Sequence, residues 1–369
     1  MGNQFKKKEK QVAKATPEEK VEANLIKSHP DAIYLKEDKS TFKIKLSLLN
    51  KQYHSEKKDP IEDILVHPNF TNSIIISTRS GKIKLYTEIT TTNSNEKILY
   101  DANERIYSMI VLKHLNNNIC ISLANKILIL SFKEEYVLEK NLELIDTENQ
   151  MKEASLIELD NGNIISAGGC IICWTKNNNE YIKASNIIKD KSGFRFLNLV
   201  DFPLLNTIII TQQDTHIIYF IKYNPENIEL IKKIEDVPSI WYKQSAKRVT
   251  NNYMIMVGKF ELNAIDGTNG EIVNKYPGID KGSMLNLTQN KSEDDIWILT
   301  DFYGKYFEFY IQEGSDFVLL DKIILEKNME IAWYNQLVRI NKECFVAVNY
   351  YGGIFVFKAE LNDETTTPD

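Results

Sequence analysis

The sequence predicts an all-β fold: seven four-stranded antiparallel sheets set around a ring, with a short helical or disordered N-terminal extension. Three observations predict it. Short β-rich runs recur from residue 61 onward with a period of about 45 residues. Every unit repeats the same order of strand and turn. One alternating segment, Phe42-Lys43-Ile44-Lys45-Leu46, has no partner in its own neighbourhood.

The period is read from the residue that closes the third strand of each unit. These residues are Tyr86, Phe132, Trp174, Tyr219, Ile265, Phe309 and Phe357, spaced 46, 42, 45, 46, 44 and 48 apart. Within a unit the first strand ends in a polar turn such as Leu115-Asn116-Asn117-Asn118, Asp160-Asn161-Gly162-Asn163 or Thr250-Asn251-Asn252. Asn and Gly tolerate the positive φ that tight hairpins require. A short apolar second strand follows: Ile74-Ile75-Ile76, Ile119-Cys120-Ile121, Ile164-Ile165, Ile208-Ile209-Ile210, Met254-Ile255-Met256, Ile296-Trp297-Ile298 and Phe345-Val346-Ala347. A more polar fourth strand ends the unit, as in Lys97-Ile98-Leu99-Tyr100. One such sheet cannot bury both of its faces, so neighbours must stack on it, and a closed ring leaves no exposed end. The expected architecture is a seven-bladed β-propeller spanning residues 31–360. The seventh unit ends near Phe357 without room for a fourth strand; residues 41–47 are expected to supply it and latch the ring. A pair of two-sheet sandwiches is the alternative for the same period.

The stretch from Leu159-Asp160-Asn161-Gly162-Asn163-Ile164-Ile165-Ser166-Ala167-Gly168-Gly169 through Ile172-Cys173-Trp174 resembles the central strands of the WD-repeat β-propeller family. The resemblance covers roughly residues 41–358. Trp174 is followed by Thr175, so the Trp-Asp dipeptide is absent. Ala264-Ile265-Asp266-Gly267-Thr268-Asn269-Gly270 matches a quinoprotein-like propeller instead, in one unit of the seven. The WD-repeat resemblance implies a scaffold that holds other proteins.

Composition narrows the function. Lys and Arg number 45 against 51 Asp and Glu, a net charge of -6, which argues against a nucleic-acid partner that would need a basic surface. Four cysteines, Cys120, Cys170, Cys173 and Cys344, are too scattered for a disulfide framework in 369 residues. No window approaches the roughly 18 apolar residues of a membrane span, and MGNQFKKKEK lacks the apolar region of a secretory signal. The expected location is cytoplasmic, including the periphery of a membrane or cytoskeletal structure.

The ends carry their own signals. Residues 1–30 read as a basic arm followed by a short helix, with Thr16-Pro17-Glu18-Glu19 as a capping box, helix to about Lys27 and Pro30 as the stop. Gly2 is a lipidation candidate: Met1-Gly2-Asn3 invites N-myristoylation, although Lys6 stands where the pattern wants Ser or Thr. Lys6, Lys7, Lys8 and Lys10 would then contact an anionic membrane or an acidic protein surface as the second signal. Residues 361–369 read as a solvated acidic tail.

Chemistry-bearing patterns are few. His29, His54, His67, His114 and His216 fall in separate segments with no metal-ligand spacing. Cys170-Ile171-Ile172-Cys173 has Cys-x-x-Cys spacing, but residues three apart on a strand point to opposite faces. No catalytic residue, metal or cofactor is expected. The predicted site is a partner-binding mouth, where first strands begin and second-to-third-strand loops gather. Counting back from the second strands places Glu62, Tyr107, Met151, Phe196, Tyr242, Leu285 and Tyr334 there. Phe194, Arg195, Trp241, Trp333, Tyr303, Tyr350 and Tyr351 lie nearby, and aromatics with arginine are the composition of interaction hot spots. The leading expectation is therefore a noncatalytic scaffold or adaptor for proteins or peptides. The second is a structural component of a cytoskeletal, ciliary or coat assembly, and the third an enzyme using the central channel.

Overall fold

The computed structural model describes residues 34–37, 42–54, 59–92, 94–143, 154–178, 180–189, 196–213, 215–237, 239–240, 243–258, 261–277, 281–287, 295–301, 303–313, 316–327 and 336–363. The basic arm, the helix expected after Thr16 and residues 364–369 of the acidic tail lie outside these.

The described strands form seven sheets, each antiparallel in its first four strands. The first is Ile61–Val66, Ile74–Thr78, Lys82–Thr87 and Asn95–Asp101; the second is Ser108–Leu112, Asn118–Ser122, Lys126–Phe132 and Tyr136–Glu143. The third is Ser155–Glu158, Ile164–Ala167, Cys170–Asn177 and Glu180–Lys189; the fourth is Phe196–Phe202, Thr207–Gln212, Ile218–Tyr223 and Ile228–Ile234. The fifth is Ala246–Arg248, Tyr253–Val257, Glu261–Asp266 and Ile272–Pro277, and the sixth is Lys281–Asn286, Asp295–Asp301, Tyr306–Glu313 and Asp316–Ile324. The seventh takes Gln336–Arg339, Cys344–Val348 and Gly353–Asp363 from the C-terminal end and Phe42–Tyr53 from the N-terminal end.

The turns are built as the residue types require. Asn116 and Asn117 take φ of 51° and 58°, and Gly162 takes 84°. Second strands such as Ile74–Thr78, Asn118–Ser122 and Thr207–Gln212 are buried at every residue. Fully burying one isoleucine there contributes about 1.5–3 kcal/mol relative to leaving it in water.

The apolar side chains fall into seven clusters, each drawn from two adjacent sheets. Ile75, Ile83 and Leu99 of the first sheet meet Met109, Ile121 and Leu130 of the second. The series continues around the circle to Ile61, Ile74 and Tyr86 of the first sheet against Val346, Ile354 and Val356 of the seventh. Seven sheets with seven buried junctions close on themselves. The chain is a seven-bladed β-propeller.

Cys170 and Cys173 show how a blade serves two junctions at once. Cys170 and Ile172 pack against the second blade, while Ile171 and Cys173 pack against the fourth. All four cysteines are buried, and burial pushes the Cys120 and Cys173 thiols up, away from the reactive thiolate.

The seventh blade is where the two ends of the chain meet. Phe42–Tyr53 runs antiparallel to Gly353–Asp363 from Phe42↔Asp363 to Tyr53↔Gly353, with one irregularity between Leu48 and Asn50. This strand is longer than the segment 41–47 singled out in the sequence. Its presence also carries the C-terminal strand on to Asp363, into the stretch that the sequence assigns to the tail, because Phe42, Lys43 and Ile44 offer backbone partners to Asp363, Asn362 and Leu361. Ile44 is buried among sixth- and seventh-blade residues and its N–H donates to Asp321 Oδ2 at 2.9 Å. Asn50 Nδ2 donates to the carbonyls of Ile89 and Thr91 on the first blade, at 3.1 and 2.7 Å. At its far end the His54 N–H donates to the Gly352 carbonyl at 3.1 Å. A Cβ on Gly352, whose φ is +88°, would sit 2.5 Å from His54 Cδ2, so the close approach requires glycine.

One element has no counterpart among the sequence expectations. Tyr34–Glu37 adds a fifth strand to the sixth blade, parallel to Asp316–Ile324. The N-terminal region thus contributes outer strands to two neighbouring blades.

Candidate partner-binding mouth

Antiparallel order brings the starts of the seven first strands and the loops between second and third strands to one mouth of the ring. Polar side chains there join blade to blade. Asp63 Oδ2 accepts the Met109 N–H at 2.9 Å, and Ser108 Oγ accepts the Leu156 N–H at 3.3 Å. Ser155 Oγ donates to the Phe196 carbonyl at 2.7 Å, and Asn198 Nδ2 to Ser245 Oγ at 3.0 Å. The Met284 N–H donates to the Gln244 carbonyl, and Gln336 Nε2 to the Glu62 carbonyl, both at 3.0 Å. Through Asp63, Ser108, Ser155 and Gln336, polar side chains at one phase of the repeat satisfy backbone groups of the neighbouring blade.

A turn from the fifth blade spans the mouth. Lys243 Nζ donates to the carbonyls of Glu62 and Tyr107 at 3.0 and 2.7 Å and lies 2.9 Å from Asp63 Oδ2. The fifth blade is not a neighbour of the first or second, so the side chain crosses the channel opening. Gln244 beside it, at φ +65°, accepts the Leu337 N–H of the seventh blade on Oε1 at 2.8 Å. Both carboxylates below the mouth are buried, Glu62 at 6% exposure and Asp63 at 8%. Their charges are compensated by cations, as buried charges must be.

Glu62 organises the rim above the first blade. Arg79 Nε donates to its Oε1 at 2.8 Å, and Arg105 Nη2 lies 2.9 Å from Oε1 and 3.0 Å from Oε2. The Arg79 guanidinium stacks 5.0 Å from the Tyr350 ring and that of Arg105 4.6 Å from the Tyr107 ring. A line Tyr350–Arg79–Glu62–Arg105–Tyr107 thus runs from the seventh blade to the second.

Of the residues singled out in the sequence, this mouth brings together Tyr107, half-buried, Tyr303, exposed, and Tyr350, half-buried, with Tyr351 exposed beside Tyr350. Phe196 is corrected: it is fully buried, its ring 5.1 Å from that of Tyr219, because its strand position turns it between the third and fourth blades. Phe194, Arg195, Trp241, Tyr242, Trp333 and Tyr334 lie outside the described residues, as do Gly2, Lys6, Lys7, Lys8 and Lys10. Sequence reasoning missed Arg79, Arg105 and Lys243. The signal for the polar ring was present: Asp63, Ser108, Ser155, Asn198, Ser283 and Gln336 recur at first-strand starts.

The opposite mouth carries two titrating groups with opposed effects. Asn69 N–H donates to His67 Nδ1 at 3.1 Å, and the rings of Phe70 and Phe132 lie 4.5 and 5.0 Å away. Burial pushes the His67 imidazole down to about 4. Burial, with the Asp160 charge beside it, raises the Asp201 carboxyl to about 6 against the pull of the Tyr223 hydroxyl, which donates at 2.9 Å. For His67 the unfolded chain binds more protons, so its contribution is complete above 6.5 and lost as pH falls towards about 4. For Asp201 the folded chain binds more, so its contribution is complete below 3.8 and lost as pH rises through about 6. The Asp201→Asn variant removes the second effect. It is expected to be more stable than the parent at pH 7.5, by about 1–2 kcal/mol after allowance for solvent screening, and to lose that advantage near pH 4. Urea midpoints across this range check it; an advantage that persists at pH 4 would show that the buried charge is not the cause.

No family model matches the chain, and no curated protein sequence matches it. Solved structures do. The WD40 domain of Pan2 from Neurospora crassa has a TM-score of 0.60 at 8% identity, covering 87% of this chain and 97% of that one. The WD40 propeller domain of Doa1 has a TM-score of 0.57 at 12% identity, covering 86% and 97%. A catalytically inactive virginiamycin B lyase from Staphylococcus aureus, solved with quinupristin, has a TM-score of 0.59 at 12% identity, covering 86% and 99%. At such identities the similarity is one of fold, and that fold is shared by WD40 domains and by a lyase.

Proposed function

We propose that this propeller is a noncatalytic scaffold that holds a protein or peptide partner at the mouth bridged by Lys243. The observation that carries the reading is the set of tyrosines, Tyr107, Tyr303 and Tyr350, fixed around a rigid rim by stacked or overlying cations. Rigid aromatics provide large contact area at low entropic cost. The mouth's carboxylates support the same reading, since Glu62 and Asp63 are engaged with Arg79, Arg105 and Lys243. The similarity to WD40 domains agrees with it by analogy of fold.

The test uses the full chain as bait in extract from its own cells, with captured proteins quantified by mass spectrometry. Tyr303→Ala combined with Tyr350→Ala is expected to deplete the captured set about tenfold while leaving the melting temperature within about 2 °C. Leu204→Ser, on the opposite mouth and 73% exposed, is expected to capture normally. Unchanged capture by the tyrosine variant would refute the assignment of the site.

A further inference from the structure

The charges at this mouth are layered, and the layering has a chemical consequence. The side chain of Glu62 is 5% exposed, whereas those of Arg79 and Arg105 above it are 42% and 27% exposed. Nearby acids are engaged as well. The Asp59 carboxylate accepts the Ser80 N–H at 2.8 Å and the Ser80 hydroxyl at 2.5 Å, and Glu104 pairs with Lys126 at 2.7 Å. Among the described residues of this stack the outer charge is therefore cationic and the inner one anionic, on a chain whose net charge is -6.

Arg79 is also held in place. Its Nε is anchored on Glu62, its guanidinium plane lies against Tyr350, and its backbone N–H donates to the Pro60 carbonyl at 2.9 Å. Among the described residues its terminal nitrogens, Nη1 and Nη2, have no acceptor. A guanidinium offers its donors as a fork that matches a carboxylate, and one already fixed loses little entropy when it binds. The Tyr351 ring, 60% exposed and 5.8 Å from that of Tyr350, adds apolar area next to it.

We propose that the partner held at this mouth presents an acidic peptide segment, and that Arg79 is the binding residue for one of its Asp or Glu carboxylates. The proposal rests on the partner-binding reading above and specifies its chemistry. Glu62 acts as a positioning residue: it keeps the fork facing outward.

Fluorescence anisotropy with a labelled hexaglutamate peptide and the full chain tests this. Hexaglutamate is expected to bind, with affinity falling as NaCl rises from about 50 to about 300 mM, and labelled hexalysine is not. Arg79→Gln is expected to weaken hexaglutamate about tenfold while the chain still unfolds cooperatively, Arg105 continuing to compensate Glu62. Glu62→Gln separates positioning from bulk charge: it makes the mouth more positive, yet it is expected to weaken the peptide because the fork is no longer anchored. No binding by the parent chain, equal binding by Arg79→Gln, or tighter binding by Glu62→Gln would overturn the proposal. So would complete displacement by inorganic phosphate at matched ionic strength, which would indicate a small-anion site. If Arg79→Gln still captures the cellular partners lost by the tyrosine variant, the acidic-segment proposal fails while the mouth remains the binding site.

Discussion

A chain beginning at residue 54 is expected to lose its cooperative folded state. Phe42–Tyr53 pairs with the C-terminal strand along its length and buries Ile44, with Leu46, Leu48 and Leu49 partly buried beside it. It also carries Asn50 to the first blade and the Ile44 N–H to the sixth, so three blades lose contacts together. Truncation would leave Gly353–Asp363 as a long open edge carrying Phe355 and Phe357, which is a template for pairing with other chains. The loss is expected to exceed about 5 kcal/mol, a large share of the stability of an ordinary domain. Size-exclusion chromatography should show aggregated material, and a synthetic peptide of residues 42–53 should restore part of the full chain's elution peak. A truncated chain that elutes as the full chain does, with an unaltered urea midpoint, would contradict this.

The second large effect is expected from Lys243→Met. The substitution keeps most of the apolar stem and removes the ammonium group paired with Asp63. It also deprives the Glu62 and Tyr107 carbonyls of a donor. Breaking a buried pair from one side costs about 3–5 kcal/mol, most of it from the charge left behind. Adding Asp63→Asn should recover a substantial part, because the stranded charge is then gone while the Met109 N–H keeps an acceptor. Urea unfolding of both single variants and the double variant measures the coupling. A Lys243→Met variant within about 0.5 kcal/mol of the parent would mean that the bridge is not formed in solution.

The blades are legible in the sequence because their signal is local and repeated. Ile74-Ile75-Ile76 and its counterparts occupy the second strands, and Tyr86, Trp174 and Phe357 close third strands, since a blade must present apolar residues on both faces to two neighbours. Tyr34–Glu37 is not legible: four residues pairing in parallel with a strand near the other end of the chain leave no local pattern. Counting misplaces Phe196 because an aromatic at a first-strand start can face either the mouth or the blade junction, and position alone does not tell which. The same counting does put Tyr107 at the mouth, and the second-to-third-strand loops bring Tyr303 and Tyr350 there. Arg79, Arg105 and Lys243 escape it, because their importance comes from converging on Glu62 and Asp63 in the folded chain, through pairs as far as 181 residues apart.

Closure of the ring by the N-terminal strand is the claim on which the mouth, its polar ring and its proposed partner all depend. Native-state amide hydrogen exchange of the full chain, followed by mass spectrometry, tests it most directly. Peptides covering residues 42–53 should be protected to the same degree as those covering 353–363, and both should lose protection together as urea is added. Exchange of 42–53 at the rate of an unstructured peptide, with 353–363 still protected, would contradict it.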